Sequence, residues 1–180
     1  VSADSTINRV NIGKGANSAA GNTVLGESAL DASVTGTNNT AIGKQALTAL
    51  TTGSSNTGVG LDALAAVTTG SDNIAIGNKS LFTVTTGSNS TALGISALRN
   101  STADDNTALG RSAMFANTTG TQNTAVGKNV LAANTTADNN TAVGHNALNA
   151  NTTGDRNVAL GSLALDANTT ANLNTAIGYA

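Results

Sequence analysis

The chain of 180 residues carries 8 basic and 10 acidic side chains, a formal charge of −2, and a balance so close to neutral leaves no electrostatic footprint for DNA or RNA. It has no Cys, which excludes a disulfide framework, a zinc-cysteine cluster and thiol chemistry, and no run approaches the ~18 consecutive apolar residues of a membrane span. Leu, Ile, Val and Phe make only 36 of the residues, against 25 Asn, 29 Thr, 32 Ala and 20 Gly, so either the chain is disordered or its large side chains are placed with unusual economy.

From the N terminus, the opening at Val1, with no basic segment ahead of an apolar run, reads as a fragment or a processed product. Residues 1–26 hold an irregular start. A five-residue unit closes at Gly13 and again at Gly26, an interval of 13, which predicts one or more shorter coils there. Over residues 27–180 the unit, clean in Asn39-Thr40-Ala41-Ile42-Gly43, recurs with its glycine at positions 43, 60, 77, 94, 110, 127, 144, 161 and 178. Every interval is 17 residues except one of 16, between Gly94 and Gly110. Four residues after each glycine runs a second column, from Leu30 and Leu47 through Met114 to Leu165. A third column is a turn, as in Thr52-Gly53 and Thr119-Gly120, with Ala103, Ala137 and Ala171 in place of that glycine. The residue missing from the short interval is expected near Arg99 to Ser101, between the Leu column and the turn. The chain stops in mid-repeat after Tyr179-Ala180, and the repeat is expected to continue beyond it.

A period of 17 is too short for helical repeats or propeller blades. It suits two short strands and two turns, one coil of a parallel β-solenoid, and about nine such coils are expected. Within the unit, the second position is Thr, Ile or Val and the fourth Ile, Leu or Val. Two residues apart they share one face, and as the larger side chains they are expected to fill a thin interior with the Leu column. Asn, Ala and Gly then face the other way. Ten coils at ~4.8 Å per step make a rod of about 48 Å. The column of Asn22, Asn39, Asn56, Asn73, Ser90, Asn106 and onward to Asn174 can form an amide ladder, each side chain donating to one neighbour and accepting from the other. Three residues after the Leu column, Leu50, Val67 and Val84 give way to Asn117, Asn134, Asn151 and Asn168, either two kinds of coil or a change of cross-section.

The third position is nearly always Ala, from Ala41 to Ala176. With the glycines it forms a strip of small residues, explained either by tight stacking or by close approach of another chain about a symmetry axis. The unit, followed by a small-Leu pair and an Asn-Thr-Thr-Gly turn, is well seen in Asn140 to Gly144, Ala147-Leu148 and Asn151 to Gly154. This pattern resembles the repeats of phage tail-fibre proteins and related bacterial surface fibres, and the pentapeptide is similar to the head repeat of trimeric autotransporter adhesins. The resemblance spans Asn11 to Ala180. It implies a left-handed β-roll and a homotrimer with the Ala-Gly strips near the common axis. It further implies an extracellular place, on a virion tail fibre or a bacterial cell surface, and host attachment.

Chemistry is sparse. His145 is the only His and follows Gly144 in a column shared with Lys44, Arg111 and Ser162, which reads as an exposed position. The acids, among them Asp104, Asp105, Asp138 and Asp155, scatter over turns and form no aligned carboxylate pair. No catalytic residue, metal ligand or cofactor site is expected, and Asn-x-Thr triplets such as those at Asn117 and Asn134 follow from the repeat. One column breaks the pattern: both Phe residues, Phe82 and Phe115, directly follow the Leu column, with Arg99 between them in the intervening coil. One coil step apart, the guanidinium can lie between two rings. This is either a brace, within the chain or against a neighbouring one, or a small ligand patch for a host glycan or receptor. Two functions compete: a rigid spacer in a trimeric fibre, and an ice-binding solenoid. Against the second, the Thr pairs of the turns are adjacent and cannot share a strand face, and the Thr of the five-residue unit reads as facing inward. A polysaccharide-processing β-helix enzyme would need the carboxylate cluster that is missing.

Overall fold

The computed structural model describes residues 5–7, 10–15, 19–32 and 34–179. Among the described residues, twelve short strands form one sheet in chain order. β1 (Ser5–Ile7) and β2 (Val10–Gly13) make a hairpin, and β2 pairs antiparallel with β3 (Thr23–Gly26). Within 1–26, where shorter coils are expected, β1 to β3 pair antiparallel, and β3 pairs parallel with the next strand of the stack. From β3 onward every pairing is parallel: β4 (Thr40–Ile42), β5 (Thr57–Val59), β6 (Ile74–Ile76), β7 (Thr91–Leu93), β8 (Thr107–Leu109), β9 (Thr124–Val126), β10 (Thr141–Val143), β11 (Val158–Leu160) and β12 (Thr175–Ile177). Like columns pair with like, Thr40 with Thr57 and Ala41 with Gly58. The chain is an all-β parallel solenoid, and its sequence columns are physical ladders.

Each coil has one strand, not the two expected; the rest of its perimeter is turn. Non-glycine residues at positive φ do the turning: Gln45 at 58°, Leu47 at 53° and Ser55 at 59° in one coil, with counterparts in the others. The backbone still bonds from coil to coil outside the strands. Leu47 N–H donates to the Ala63 carbonyl at 3.0 Å, Gln45 N–H to Glu27 at 2.9 Å and Thr51 N–H to Thr68 at 2.9 Å. The left-handed conformation costs about 1–2 kcal/mol per residue, and satisfying buried peptide groups offsets it.

The Leu column lies inside as expected, fully buried from Leu30 to Leu148. The two faces of the strand are the reverse of the expectation. Asn and Ala point inward: Ala41, Ala75, Ala92 and Ala125 have no exposed surface. Thr and Ile/Leu/Val point outward, and Leu93 remains 46 % exposed. Interior width is the cause. A Cβ built on Gly58, which occupies the Ala column, would sit 3.2 Å from the Ala63 carbonyl oxygen and 3.3 Å from Leu47 Cγ. The strand faces the Leu of its own coil across a gap that one methyl fills, and a second column of branched side chains has no room. The Ala strip is small because of its own coil's Leu, and it is not a surface for a neighbouring chain. The glycines answer a different constraint. A Cβ at Gly43 (φ 123°) would lie 2.6 Å from the carbonyl oxygen of Gly60 in the next coil.

The Asn column forms the expected ladder. Asn56 Nδ2 donates to Asn39 Oδ1 at 3.2 Å and to the Gly70 carbonyl at 2.9 Å, while Asn56 N–H donates to the same Asn39 Oδ1 at 2.9 Å. The second Asn column lies inside too, where Val34, Leu50, Val67 and Val84 pack in the first coils. Asn134 Nδ2 donates to Asn117 Oδ1 at 2.7 Å, and Asn117 Nδ2 ends the ladder on Ser101 Oγ at 3.2 Å. Ser101 thus joins an apolar filling to an amide filling. The missing residue sits later than expected. Thr102 Oγ1 donates to Thr118 O at 3.0 Å, just as Thr51 Oγ1 donates to Thr68 O at 3.0 Å. Leu98 through Thr102 therefore hold their columns, and the second Thr of the turn is the residue lost.

Candidate functional site

The turn after the Leu column builds the site. Leu81, Leu98 and Met114 sit at φ 46°, 48° and 49° with their side chains buried. The residue that follows each is left half-buried on the outer wall: Phe82, Arg99 and Phe115. Backbone bonds hold the three levels in register. Thr83 N–H and Thr83 Oγ1 donate to the Arg99 carbonyl at 3.1 and 3.0 Å, and Leu98 N–H donates to Ala113 O at 3.0 Å. The Arg99 guanidinium carbon lies 5.9 Å from the Phe82 ring centre and 5.6 Å from that of Phe115. The structure brings the three residues together as the column spacing predicts. Cation–π contacts of this kind contribute about 0.5–2 kcal/mol each.

Two partners escape the column reading. Lys79 Nζ stands 5.4 Å from the Phe82 ring centre and 4.0 Å from Asp62 Oδ2. Lys79 and Asp62 belong to another positive-φ column, at 54° and 57°. The turn, not the period, carries that column toward the rings, so spacing alone gives no sign of it. Arg99 Nε is buried and has no hydrogen-bond partner among the described residues.

Elsewhere the polar side chains serve the backbone. Asp104 Oδ1 accepts the Ser88 N–H at 2.7 Å, Asp138 Oδ1 accepts Thr121 N–H at 2.6 Å, and Asp155 Oδ1 accepts Asp138 N–H at 2.8 Å. These acids cap turns, and among the described residues no three His, Asp or Glu gather as a metal would need. His145 is exposed. The amides of the Asn117 and Asn134 triplets are buried ladder members with both carbonyl and ladder partners, so they are closed to modification in the folded chain.

A second surface follows from the reversed strand faces. Thr40, Thr57, Thr91 and Thr107 and the residues two further on, Ile42, Val59, Leu93 and Leu109, form two parallel outward columns along the rod. Ile74 and Val158 take the Thr position in two coils, which widens the apolar part. Among the described residues no helix is long and apolar enough to cross a membrane. Set against known protein families, curated proteins and solved structures, the chain matches none.

Proposed function

We propose that the chain is a rigid segment of a homotrimeric extracellular fibre, of a phage tail or a bacterial surface adhesin, that holds a receptor-binding part at a distance. The outward apolar stripe carries this reading. It continues through every parallel strand from Leu25 to Ile177, and Leu93, Ile76 and Val143 expose it without cover from the chain itself. Continuous apolar surface of this kind marks an interaction site. Its repeat is the coil rise, so the partner that matches it along its whole length is one with the same rise: another copy, parallel and in register. Copies related by rotation meet through identical surfaces, and the number three follows the resemblance to trimeric fibres. The axis then lies along the Thr/Ile face instead of the Ala-Gly strip. Light scattering after size exclusion tests it: a mass three times 17.5 kDa is expected, and a single-chain mass at high concentration overturns it.

One observation favours ice binding as a second reading. The Thr of the strand unit faces outward, contrary to the expectation that weighed against it, and between Thr40 and Thr175 it forms a ladder on a regular parallel sheet that only Ile74 and Val158 interrupt. Both readings need the same face, buried in a trimer and open in a monomer. Thermal hysteresis from a single-chain species supports the second; its absence there removes it.

A further inference from the structure

The two ends of each strand lie on opposite edges of the outward Thr/Ile face, and over three coils these edges carry opposite charge. On the edge after the strand, the residue directly following the glycine is Arg111 at the level of β8, Lys128 at β9 and His145 at β10, all exposed. Their coils are joined here by backbone bonds: Asn129 N–H donates to the Arg111 carbonyl and Asn146 N–H to the Lys128 carbonyl, both at 3.0 Å. The three therefore stand one coil step of ~4.8 Å apart. On the edge before the strand, Asp104 and Asp105 precede β8 and Asp138 precedes β10. Asp104 and Asp138 each accept a backbone N–H through Oδ1, and Asp105 is exposed at φ 59°.

The chain does not balance these charges itself. Both ion pairs among the described residues lie on the edge after the strand, but in earlier coils: Lys44 with Glu27 at 3.2 Å and Lys79 with Asp62 at 4.0 Å. From β8 to β10 the two columns of that edge hold Arg111, Ser112, Lys128, Asn129, His145 and Asn146, and no acid. A row of like charges one coil step apart repels itself, and so does the opposite row. Each would relieve the other, but up to ~20 Å of extended chain separates Asp105 from Arg111, about two Debye lengths at physiological salt.

We propose that the two edges pair between copies of the chain, Arg111 and Lys128 of one copy with Asp104, Asp105 and Asp138 of the next, and that this pairing sets the direction and level at which copies meet. The proposal rests on the reading that copies associate through the Thr/Ile face. Rotation about an axis along the rod turns the same face of every copy inward. It sets the edge after the strand in one copy beside the edge before the strand in the next, and it leaves each level at its own height. Arg111 then meets Asp104 and Asp105, and Lys128 stands one coil step from the acids on either side. Reversal of one copy sets base on base and acid on acid, which is costly across an interface. A slip along the rod keeps the rise of the apolar stripe but moves the bases away from the acids. The stripe supplies the attraction, and the edges supply the choice of partner orientation.

The test measures the mass of the full 180-residue chain by light scattering over a dilution series at low salt, with the far-ultraviolet spectrum reporting that each variant folds. One variant reverses the edge after the strand, Arg111→Glu with Lys128→Glu; Glu27 already occupies that column. A second reverses the other edge and spares the turn-capping acids, with Asp105→Lys, Gln122→Lys and Asn139→Lys; Arg156 holds a long cation in that column at φ 56°. A third combines both sets. Each one-edge variant is expected to raise the concentration at which the assembly half dissociates by about tenfold or more, and strong salt is expected to narrow the difference. The combined variant is expected to recover most of the loss and to assemble with itself but not with the parent. A parental assembly that neither one-edge reversal weakens overturns the pairing alone, and an antiparallel arrangement gives this result, because like charge then faces like before and after the change. No recovery in a folded combined variant overturns it as well. A parent of one chain at every concentration overturns the pairing together with the fibre reading.

Discussion

At the scale of single residues, the buried asparagines decide whether neighbouring coils hold together. Asn140 Nδ2 donates to Asn123 Oδ1 at 3.2 Å, its N–H donates to the same oxygen at 2.9 Å, and its own Oδ1 accepts from the N–H and Nδ2 of Asn157 at 2.9 and 3.1 Å. Each link leaves no spare donor, and aligned amides polarise one another. Removing one therefore strands its neighbours. Asn123→Ala deprives Asn140 of the acceptor for two donors and leaves the Ala137 carbonyl without the Asn123 amide. A cost of about 2–4 kcal/mol is expected in urea unfolding, well above the ~1 kcal/mol of a solvated hydrogen bond. The chain contains its own control at Ser90. There the backbone N–H still donates to Asn73 Oδ1 at 3.0 Å, and Ser90 Oγ accepts Asn106 N–H at 3.2 Å. A hydroxyl preserves one strand of the ladder, so Asn123→Ser should cost clearly less than Asn123→Ala.

At the scale of one coil, the perimeter divides into parts that tolerate a change of length and parts that do not. The coil that starts at Gly94 lacks the second Thr of its turn, and in other coils that Thr, such as Thr52 or Thr119, is exposed and contributes only a backbone N–H to the Thr68 or Thr135 carbonyl. Inserting Thr between Thr102 and Ala103 restores the common length and supplies a donor for Thr118 O. Its effect on stability is expected to stay within about 0.5 kcal/mol, the range of surface changes. The same insertion between Leu98 and Arg99 moves Arg99 out of its stack and shifts Ser101 away from Asn117, and several kcal/mol of destabilisation are expected. Comparing the two melting temperatures checks the placement of the short turn.

The repeat itself, the Leu column and the amide ladder are legible in the sequence because they depend only on like residues stacking on like. The Phe82–Arg99–Phe115 stack is legible for the same reason. The sense of the strand faces is not. Alternation in Thr-Ala-Ile tells which side chains share a face but not which face is inside, and the larger side chains suggest the wrong one. The width of the coil decides, and that width is set by turns in which Gln45, Leu47 and Ser55 hold positive φ, a conformation that no local pattern in those residues announces. One sequence signal does bear on it. The Ala column admits Gly58 but nothing larger except Val24 in the first parallel strand, whereas its outward neighbours exchange Thr for Ile or Val at Ile74 and Val158. A column that refuses growth lies against something fixed.

At the scale of the whole rod, inward and outward columns must fail in opposite ways, and that contrast tests architecture and assembly together. Ala125 and Val126 are adjacent in β9, the first fully buried and the second partly open. Ala125→Leu forces a large side chain into a space that accepts one methyl. Overpacking costs about 1–3 kcal/mol in ordinary cores and more here, where backbone and Leu close the gap, and because each coil contacts only its neighbours the damage centres on that part of the stack. Val126→Ser with Val143→Ser changes the outer stripe alone. A free chain is expected to lose little stability, but a trimer loses about 1.5 kcal/mol or more for each apolar side chain no longer buried at the axis, multiplied over its chains. The mass should fall toward one chain while the far-ultraviolet spectrum of the solenoid persists. If the faces were reversed, the two variants would exchange roles: Ala125→Leu would disperse the assembly and leave the coil folded, and the paired Val→Ser variant would unfold it.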